Sequence, residues 1–402
     1  MALFHYQIAI ELFSIYLKAS AFFGNNKSKK SIKGKKNWQK NLSNLSSEKK
    51  TFWIHAASHG EAIMASPIVR KILNQKNNQV LMSFFSPSGY ENYNFEDKNF
   101  HKFYLPFDKK RNSKKIVDFI EPSILIFVKY DLWLNLINEC NNRKIPSLVF
   151  SSKFRKNNWY FNILGKSAKK ILQSMSLILT VDHSSEKVLE ENGFDNFKYS
   201  GDTRFDTLNE VESNLVLDIK SPCIILGSSW KKEEKIAAQT IKKIENVNWI
   251  ITPHEIEEKE ILKTKKLFGN KALLYSEIDL KKPIPKVLII DQIGILADLY
   301  NYSDIAFIGG GFSGKLHNIL EAAVKENFLL FGPNIDKYPE ANLMLKENIA
   351  ETIHDSIEFK NIILKLIGNK AELENKKKKA KQIIIDNKGA TEIVWNEIKK
   401  LV

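Results

Sequence analysis

The stretch TFWIHAASHGEAIMASPIV (residues 51–69) passes directly from a buried strand into a helix. Its first part, TFWIHAA, is a continuous apolar run, which is typical of a strand covered on both faces. The next part brings Ser, His, Gly and Glu to the point where a helix over 61–75 must begin. Glu61 is therefore either an acid that stabilises a helix start or a catalytic base at the carboxyl end of a strand.

Apolar runs of this kind recur along the chain, and predicted helices over 61–75, 131–143, 158–174 and 184–192 lie between them. The first series continues with QVLMSFF, KFYLPF, SILIFV, PSLVFSS and LILTVD, and a second series comprises CIILGSS, WIITPH, KALLYS, KVLIID, IAFIGGG and FLLFGP. Continuous rather than alternating runs indicate parallel sheets with helices on both faces. We therefore predict an α/β protein with two Rossmann-like, doubly wound domains that face a cleft.

Composition and pattern suggest where these domains begin and end. The polar stretch NEVESNLVLDIKSP lacks the apolar runs and reads as a linker. A last helix near 370–400 either stays with the second domain or crosses back to the first. The predicted segments are an apolar and basic N-terminal segment (1–36), a first domain (37–208), the linker (209–222) and a second domain (223–402).

The N-terminal segment MALFHYQIAIELFSIYLKASAFFG is long enough to span a bilayer, and a basic run follows it. Glu11 and Lys18 interrupt it and lie two helical turns apart, hence on one face. This pattern favours a helix that lies in the membrane interface or anchors poorly across it. The alternative is an amphipathic helix packed on its own domain. We expect membrane association, with the body of the protein on the cytoplasmic side.

The formal net charge of +15 raises the question of nucleic-acid binding. The basic residues are mostly lysines spread over helix faces, with denser runs at 25–36 and 375–382, and lack the concentrated stripe of a nucleic-acid binder. Solvated faces and anionic lipid headgroups explain them better, so we expect no nucleic-acid partner. Cys140 and Cys223 alone supply neither a disulfide framework nor a thiolate metal site, which fits a reducing compartment.

The segment IAFIGGGFSGKLHNILEAA (305–323) contains the spacing G-x-G-x-x-G at Gly309, Gly311 and Gly314. The next strand ends in FGP, where a dinucleotide-binding domain would have an acid for the ribose. Phosphate or ribose capture is the better interpretation, because small residues let a backbone approach an anion. Asn318 and Glu321 share a helix face and could contact a base or ribose, or Glu321 could simply stabilise a helix start.

GSSW (227–230) offers a second helix start, at which the hydroxyls of Ser228 and Ser229 suit a phosphate. Alternatively, Ser229 is an N-cap residue. The sequence has no D-x-D signature, and its histidines do not cluster at the spacing of metal ligands. We therefore expect no metal and no cofactor.

The order of the motifs WIHAASHGE, FVKYDLW, GDTRFD, GSSWKKEE, ITPHE, GGGFSGKLHNILEAA and FGPNIDKYPEA resembles that of the 3-deoxy-D-manno-octulosonic acid (Kdo) transferases of lipopolysaccharide assembly, most of all the Bacteroidetes-type versions. The resemblance runs from the N-terminus to about residue 350. It implies a glycosyltransferase-B fold and metal-independent transfer of Kdo from CMP-Kdo to a lipid A precursor (lipid IVA). It also implies a location at the cytoplasmic face of the inner membrane.

The same resemblance assigns roles to individual residues. Glu61 corresponds to the general base of the family, and Asp131 and Arg204 to residues that support the transition state. His254 stands where the family usually has Arg, Ile295 where it has Glu, and Asp131 is one methylene shorter than the usual Glu. The implied donor-site residues, together with the two serines argued above, are Ser228, Ser229, Pro253, His254, Ile293, Gly294, Ile295, Gly310, Gly311, Asn318, Ile319, Leu320 and Glu321.

One catalytic base without a protein nucleophile predicts inversion at the anomeric carbon. The acceptor is a sugar hydroxyl that a positioned carboxylate deprotonates during attack. Arg204 and the helix starts near Ser228 and Gly311 are expected to stabilise the charge that develops on CMP. Two alternatives stay open: a glycosyltransferase-B enzyme that uses a UDP- or GDP-sugar, and an inactive membrane-attached binding module of the same fold.

Overall fold

The computed structural model describes residues 3–208, 215–269, 272–279 and 283–402. The chain divides into two compact units. The first comprises Met1–Thr207 with Asn387–Val402, and the second comprises Leu208–Asp386.

The first unit is built on a seven-stranded sheet in which every neighbouring pair is parallel. The strand order is 3-2-1-4-5-6-7, so the chain reverses its direction across the sheet between the first and fourth strands. The strands are β1 (Lys50–His55), β2 (Asn78–Phe84), β3 (Phe100–Tyr104), β4 (Ile124–Val128), β5 (Ser147–Ser152), β6 (Leu177–Thr180) and β7 (Phe197–Tyr199).

Helices cover both faces of this sheet, as the continuous apolar runs predict. Along β1, Trp53 belongs to one core cluster and Phe52 and Ile54 to another, because successive side chains point to opposite faces. The helices are α1 (Phe4–Phe22), α2 (Asn26–Lys36), α3 (His59–Leu73), α4 (Pro87–Asn92), α5 (Lys110–Ile120), α6 (Leu134–Asn142), α7 (Lys166–Gln173) and α8 (His183–Glu191).

Helix α1 packs against the first unit through polar contacts. The Tyr6 hydroxyl donates to Asp108 at 2.6 Å, and the Gln7 amide donates to Asn135 at 2.7 Å. Asp108 is buried and also accepts from the backbone N–H groups of Asn135 and Leu136 in the first turn of α6. Among the residues that the structure describes, no helix is long and apolar enough to cross a membrane.

The second unit repeats the architecture with its own seven-stranded parallel sheet, in the order 10-11-9-8-12-13-14. The strands are β8 (Cys223–Ser229), β9 (Asn248–Pro253), β10 (Ala272–Leu274), β11 (Val287–Ile289), β12 (Ile305–Ile308), β13 (Phe328–Phe331) and β14 (Ala350–Thr352). The helices are α9 (Lys231–Ile241), α10 (Glu258–Phe268), α11 (Leu296–Leu299), α12 (Leu320–Val324), α13 (Pro339–Lys346), α14 (Ser356–Gly368) and α15 (Lys370–Asp386).

The last helix, α16 (Ala390–Leu401), belongs to the first unit, although the predicted second domain ran to residue 402. It packs against α3 and against the short turn Phe205–Thr207. The carboxylate of Asp206 accepts from the backbone N–H groups of Gly389 and Thr391, both at 2.6 Å. Part of the predicted linker, residues 209–214, lies outside the described residues.

Two local predictions differ from the structure. The helix predicted over 158–174 is two single 3₁₀ turns followed by α7, because Gly165 packs against the backbone of Tyr160 and interrupts the segment. The series of apolar runs also did not include the edge strands β7 and β14, whose sequences Phe-Lys-Tyr and Ala-Glu-Thr mix apolar and polar residues.

Candidate active site

Glu61 lies in the first turn of α3, immediately after β1. Its carboxylate accepts a hydrogen bond from the backbone N–H of Ser58 at 3.1 Å. β1 and β4 are neighbours at the point where the sheet order reverses, and ligands of open α/β sheets bind at the carboxyl ends of strands there. The contact with Ser58 shows that Glu61 stabilises the helix start, and its role as a catalytic base stays a prediction.

The surroundings of Glu61 raise its pKa above the ordinary value of a glutamate. Burial is the largest cause, the negative charge of Asp131 adds to it, and His55, Lys129 and the hydrogen bond from Ser58 act in the opposite direction. A helix start alone would lower this pKa. Burial outweighs that effect, which makes Glu61 a stronger base once it is ionised.

Asp131 follows β4 and lies beside Glu61, so the structure brings these two predicted residues together. Burial raises the pKa of Asp131, but hydrogen bonds from His55 and Trp133 and the charge of Lys35 outweigh it, and the net direction is downward. The His55 Nε2 atom is 3.4 Å from Oδ2 of Asp131. The pair therefore consists of an ionised Asp131 and a Glu61 that holds its proton more tightly.

Lys35 is a charged residue that the sequence analysis assigned to a solvated or lipid-facing run, and that assignment is wrong for this residue. It is only 6 % exposed. Its ammonium group donates to the carbonyl of Phe85 at 2.8 Å and lies 3.9 Å from the centre of the Phe85 ring. Burial lowers the pKa of Lys35 to about 7, although Asp131 opposes this shift. The sequence gives no signal for its burial, because Lys35 is one of six lysines in the run 25–36.

Arg204 is held by its own loop. Its guanidinium donates to the carboxylate of Asp202 at 3.1 and 2.8 Å, and its backbone N–H bonds the same carboxylate at 3.0 Å. The turn that follows, Phe205–Thr207, packs against α3, the helix that carries Glu61. Arg204 is thus fixed near that helix with part of its charge balanced by Asp202, and its role in transition-state support stays a prediction.

In the second unit, the glycine-rich segment follows β12, the neighbour of β8 where the sheet order reverses. Gly310 has φ +85°, and a Cβ there would lie 2.1 Å from the carbonyl oxygen of Lys315. A Cβ on Gly311 would lie 2.4 Å from the backbone nitrogen of Gly332. Both positions require glycine because the neighbouring backbone leaves no room for a Cβ. Capture of a phosphate by these glycines stays a prediction.

The two serines at the end of β8 differ in their environment. Ser228 is in the left-handed region at φ +50°, and its N–H donates to the Thr252 hydroxyl at 3.0 Å. Ser229 is buried, and its hydroxyl donates to the carboxylate of Glu234 at 3.1 Å. The N-cap residue of α9 is Trp230, so the alternative interpretation of Ser229 as the cap is wrong.

Asn318 and Glu321 meet, as their spacing predicts. The Asn318 amide donates to the Glu321 carboxylate at 2.9 Å, and the Asn318 side-chain oxygen accepts from the Leu320 N–H at 3.1 Å. Burial raises the pKa of Glu321, while the bond from Asn318 lowers it. Ile319 and Leu320 are buried, so within 318–321 only Asn318 and Glu321 offer polar side chains.

Three rings cluster beside this segment, and of these only His254 is among the predicted donor-site residues. The Trp230 and His254 rings are stacked at 4.5 Å between centroids, and the His254 and His317 rings are 4.6 Å apart. The Trp230 indole donates to Nε2 of His317 at 3.0 Å. Burial and the nearby His254 lower the pKa of His317 to about 4, so it is neutral at pH 7 and can accept this bond.

A cavity of about 580 Å³ opens beside these rings and is lined by residues from the start of α9, the end of β9 and α10, including Ser229, Trp230, Pro253 and His254. The remaining predicted donor residues, Ile293, Gly294 and Ile295, lie in the loop between β11 and α11, where the Ile293 side chain is 82 % exposed. In the described ranges, no group of three or more His, Cys, Asp or Glu side chains could hold a metal ion.

Comparison with solved structures shows the fold. The crystal structure of MurG from Acinetobacter baumannii superposes with a TM-score of 0.58 and 15 % sequence identity, covering 87 % of this chain and 99 % of that one. Together with the two parallel seven-stranded sheets, this likeness shows a glycosyltransferase-B fold.

Comparison with known sequences shows the family. Residues 35–207 match the family model described as 3-deoxy-D-manno-octulosonic-acid transferase. The 3-deoxy-D-manno-octulosonic acid transferase of Haemophilus influenzae is 26 % identical over 86 % of this chain and 86 % of its own length. A bifunctional glycosyltransferase/methyltransferase of Fusobacterium nucleatum is 27 % identical over 76 % of this chain, which spans about half (51 %) of that relative. Residues 35–207 therefore belong to the 3-deoxy-D-manno-octulosonic-acid transferase family of glycosyltransferases, and the relatives extend this similarity over most of the chain.

Proposed function

We propose that this protein transfers Kdo from CMP-Kdo to a lipid A precursor such as lipid IVA, with inversion and without a metal. The observation that carries the proposal is Glu61, a half-buried carboxylate with a raised pKa at the carboxyl end of β1, in a chain of the Kdo transferase family.

Glu61 is the general base in this proposal. A sugar hydroxyl is a poor nucleophile until its proton is removed, and a positioned carboxylate typically accelerates such a step by about 10²- to 10⁴-fold. The raised pKa strengthens the ionised form of Glu61 as a base. Asp131 keeps its negative charge, which suits the stabilisation of a sugar carbon that becomes positive as the bond to CMP stretches.

The second unit binds the nucleotide in this proposal. The Trp230, His254 and His317 rings offer a flat surface on which a pyrimidine base can stack. The carboxylate of Glu321 accepts from ribose hydroxyls, and the loop at Gly310 and Gly311 lies at the switch point of the sheet, where phosphates commonly bind.

The N-terminal helix associates with the cytoplasmic face of the inner membrane in this proposal. Tyr6 and Gln7 face the protein, whereas a different set of apolar side chains on and just after α1 faces outward. These side chains, each 60–85 % exposed, are Phe4, Leu12, Ile15, Tyr16, Phe22 and Phe23. The lysines of α2 follow at once and would contact anionic headgroups.

The test of the transfer reaction is an assay with CMP-Kdo and a tetra-acylated lipid A precursor. The proposal predicts a Kdo-modified lipid and protection of the protein against thermal unfolding by CMP but not by UDP or GDP. Protection by UDP or GDP alone, with transfer from the corresponding sugar nucleotide, would replace the proposal by the first alternative. CMP binding without any turnover would support the inactive binding module.

The test of membrane association is flotation with vesicles that contain anionic lipid. Leu12→Gln combined with Tyr16→Gln removes two exposed apolar side chains, leaves Tyr6 and Gln7 in place, and is expected to release the protein from the vesicles. The matched control, Lys18→Gln, alters α1 without removing apolar area. Flotation of the double variant equal to that of the wild type would contradict the proposed role of α1.

A further inference from the structure

We propose that His55 is a positioning residue for Asp131, and that Trp53 and Ser83 fix its ring so that Nε2–H points at the Asp131 carboxylate. The inference rests on the proposed function, since Asp131 is a candidate residue of that reaction. Neither the motif comparison nor the family match assigned a role to these three side chains.

The three residues form a chain of hydrogen bonds beneath the site. Trp53 and His55 lie on β1, and Ser83 lies opposite His55 in the register of β2. The Trp53 indole N–H donates to the Ser83 hydroxyl at 2.9 Å, and Nδ1 of His55 is 2.9 Å from the same oxygen. Nε2 of His55 is 3.4 Å from the Asp131 carboxylate. The side chains of Trp53, His55 and Ser83 are fully buried, whereas Asp131, at the end of this series of hydrogen bonds, is partly exposed.

The donors in this chain decide which nitrogen of His55 carries the proton. An indole N–H can only donate, so the Ser83 oxygen accepts from Trp53 and has its own hydrogen left to give. Nδ1 of His55 is the acceptor within reach of that hydrogen. Nε2 then carries the remaining proton and donates to Asp131. With the opposite tautomer, a lone pair would face the carboxylate and the Ser83 hydrogen would lose this partner.

The ring of His55 is also fixed by packing. It meets the Phe127 ring edge-on at 5.9 Å between centroids and the Trp133 ring at 5.4 Å. Hydrogen bonds and packing therefore hold the Nε2–H direction independently of the substrate. A carboxylate that is oriented in advance does not have to reorganise when charge develops beside it, which is how such groups lower a reaction barrier.

The test compares two variants that separate the contacts of His55. In His55→Gln the side-chain amide reaches the position of Nε2 and keeps a donor toward Asp131, whereas in His55→Asn it reaches only the position of Nδ1. We expect His55→Asn to lower kcat by about tenfold or more, because the donor toward Asp131 is lost. A tenfold loss corresponds to about 1.4 kcal/mol. We expect His55→Gln to keep most of the wild-type kcat, and KM for CMP-Kdo to stay within about twofold in both variants.

A role confined to packing predicts equal losses in the two variants, and that result, or an unchanged kcat in His55→Asn, overturns the proposal. Ser83→Ala provides a further variant if His55→Asn does not fold. It keeps His55 but frees Nδ1, and we expect a partial loss of kcat with unchanged KM; an unchanged kcat counts against the proposal.

A spectroscopic readout separates this inference from the proposed function. Two-dimensional NMR of the full-length protein labelled with ¹⁵N-histidine reports the tautomer of His55 directly, with Asp131→Asn as the assignment control. We expect the Nε2–H tautomer, and an Nδ1–H tautomer overturns the inference whatever reaction the protein catalyses. Absence of any transfer from CMP-Kdo by the wild type, combined with the Nε2–H tautomer, overturns the proposed function alone.

Discussion

The two units place different chemistry at the same point of the same architecture. In the first unit, the strands beside the reversal of the sheet order, β1 and β4, lead to Glu61 and Asp131, two interacting carboxylates. In the second unit, the corresponding strands β8 and β12 lead to Ser228 and Gly310, both with positive φ, beside stacked rings. The first unit thus places two coupled carboxylates at this point, and the second places closely packed backbone beside aromatic rings.

Each unit is therefore expected to respond to a different kind of substitution. In the first unit, a change of charge alters reactivity while the backbone stays as it is. In the second, a change of volume alters the fold of the loop before any ligand is bound.

Gly310→Ala is expected to disrupt the second unit, and Gly60→Ala to be tolerated in the first. Gly310 has φ +85°, and a Cβ there would lie 2.1 Å from the backbone carbonyl oxygen of Lys315, whereas a Cβ at Gly60 meets nothing within 4 Å. Strain and overpacking together cost about 2–5 kcal/mol. Urea denaturation measures the difference, and equal stability of the two variants would contradict the contrast.

Asp131→Asn is expected to lower the rate of transfer and to move its dependence on pH. Loss of a transition-state contact costs about 10²-fold. The charge of Asp131 raises the pKa of Glu61, so its removal lowers that pKa and shifts the acidic limb of the rate profile to lower pH. Lys129→Met removes a positive charge that lowers the pKa of Glu61, so the acidic limb of the rate profile of this variant is expected at higher pH. If the acidic limbs of the two variants did not move in opposite directions, the proposed electrostatic coupling to Glu61 would be contradicted.

Trp230→Phe is expected to weaken CMP binding moderately. The ring that stacks on His254 remains, but the hydrogen bond to His317 at 3.0 Å is lost. A hydrogen bond of this kind contributes about 0.5–1.5 kcal/mol, so Kd is expected to rise by about two- to tenfold in calorimetry. Trp159→Phe, at a half-exposed position of the first unit, is the control. An unchanged Kd in Trp230→Phe would remove the ring stack from the binding surface.

Glu61→Gln is expected to stabilise the folded protein slightly. Because the pKa of Glu61 is raised on folding, its ionised form destabilises the folded state at pH values above that pKa. The gain in the variant is therefore present at neutral pH and disappears as the pH falls below the ordinary pKa of a glutamate. Each 1 kcal/mol corresponds to about 2–4 °C in Tm. A lower Tm at pH 7 would show that ionised Glu61 is not destabilising.

Much of the fold could be predicted from the sequence. The apolar runs of both series became strands of two parallel sheets, because strands buried on both faces need continuous apolar sequence. The return of α16 to the first unit could not be predicted. It depends on hydrogen bonds from the backbone at Gly389 and Thr391 to Asp206, which lies far away in the sequence.

The candidate site could be predicted only as single motifs. Glu61 and the pair of Asn318 and Glu321 stand in recognisable sequence patterns, so their local arrangement was foreseeable. Lys35 is buried because α2 packs near β3 and Phe85, and the hydrogen bonds to His55 arise from the pairing of β1 with β2. No spacing in the sequence records either contact. A histidine within the apolar run TFWIHAA was the one available signal.

The central claim is that Glu61 removes the proton of the acceptor hydroxyl, and single-turnover transfer by Glu61→Gln tests it most directly. The substituted amide can still accept the hydrogen bond from the Ser58 N–H, so the helix start is preserved. The account predicts a rate about 10²- to 10⁴-fold below the wild type, with CMP binding unchanged. A variant that retains more than about a tenth of the wild-type rate would contradict the claim.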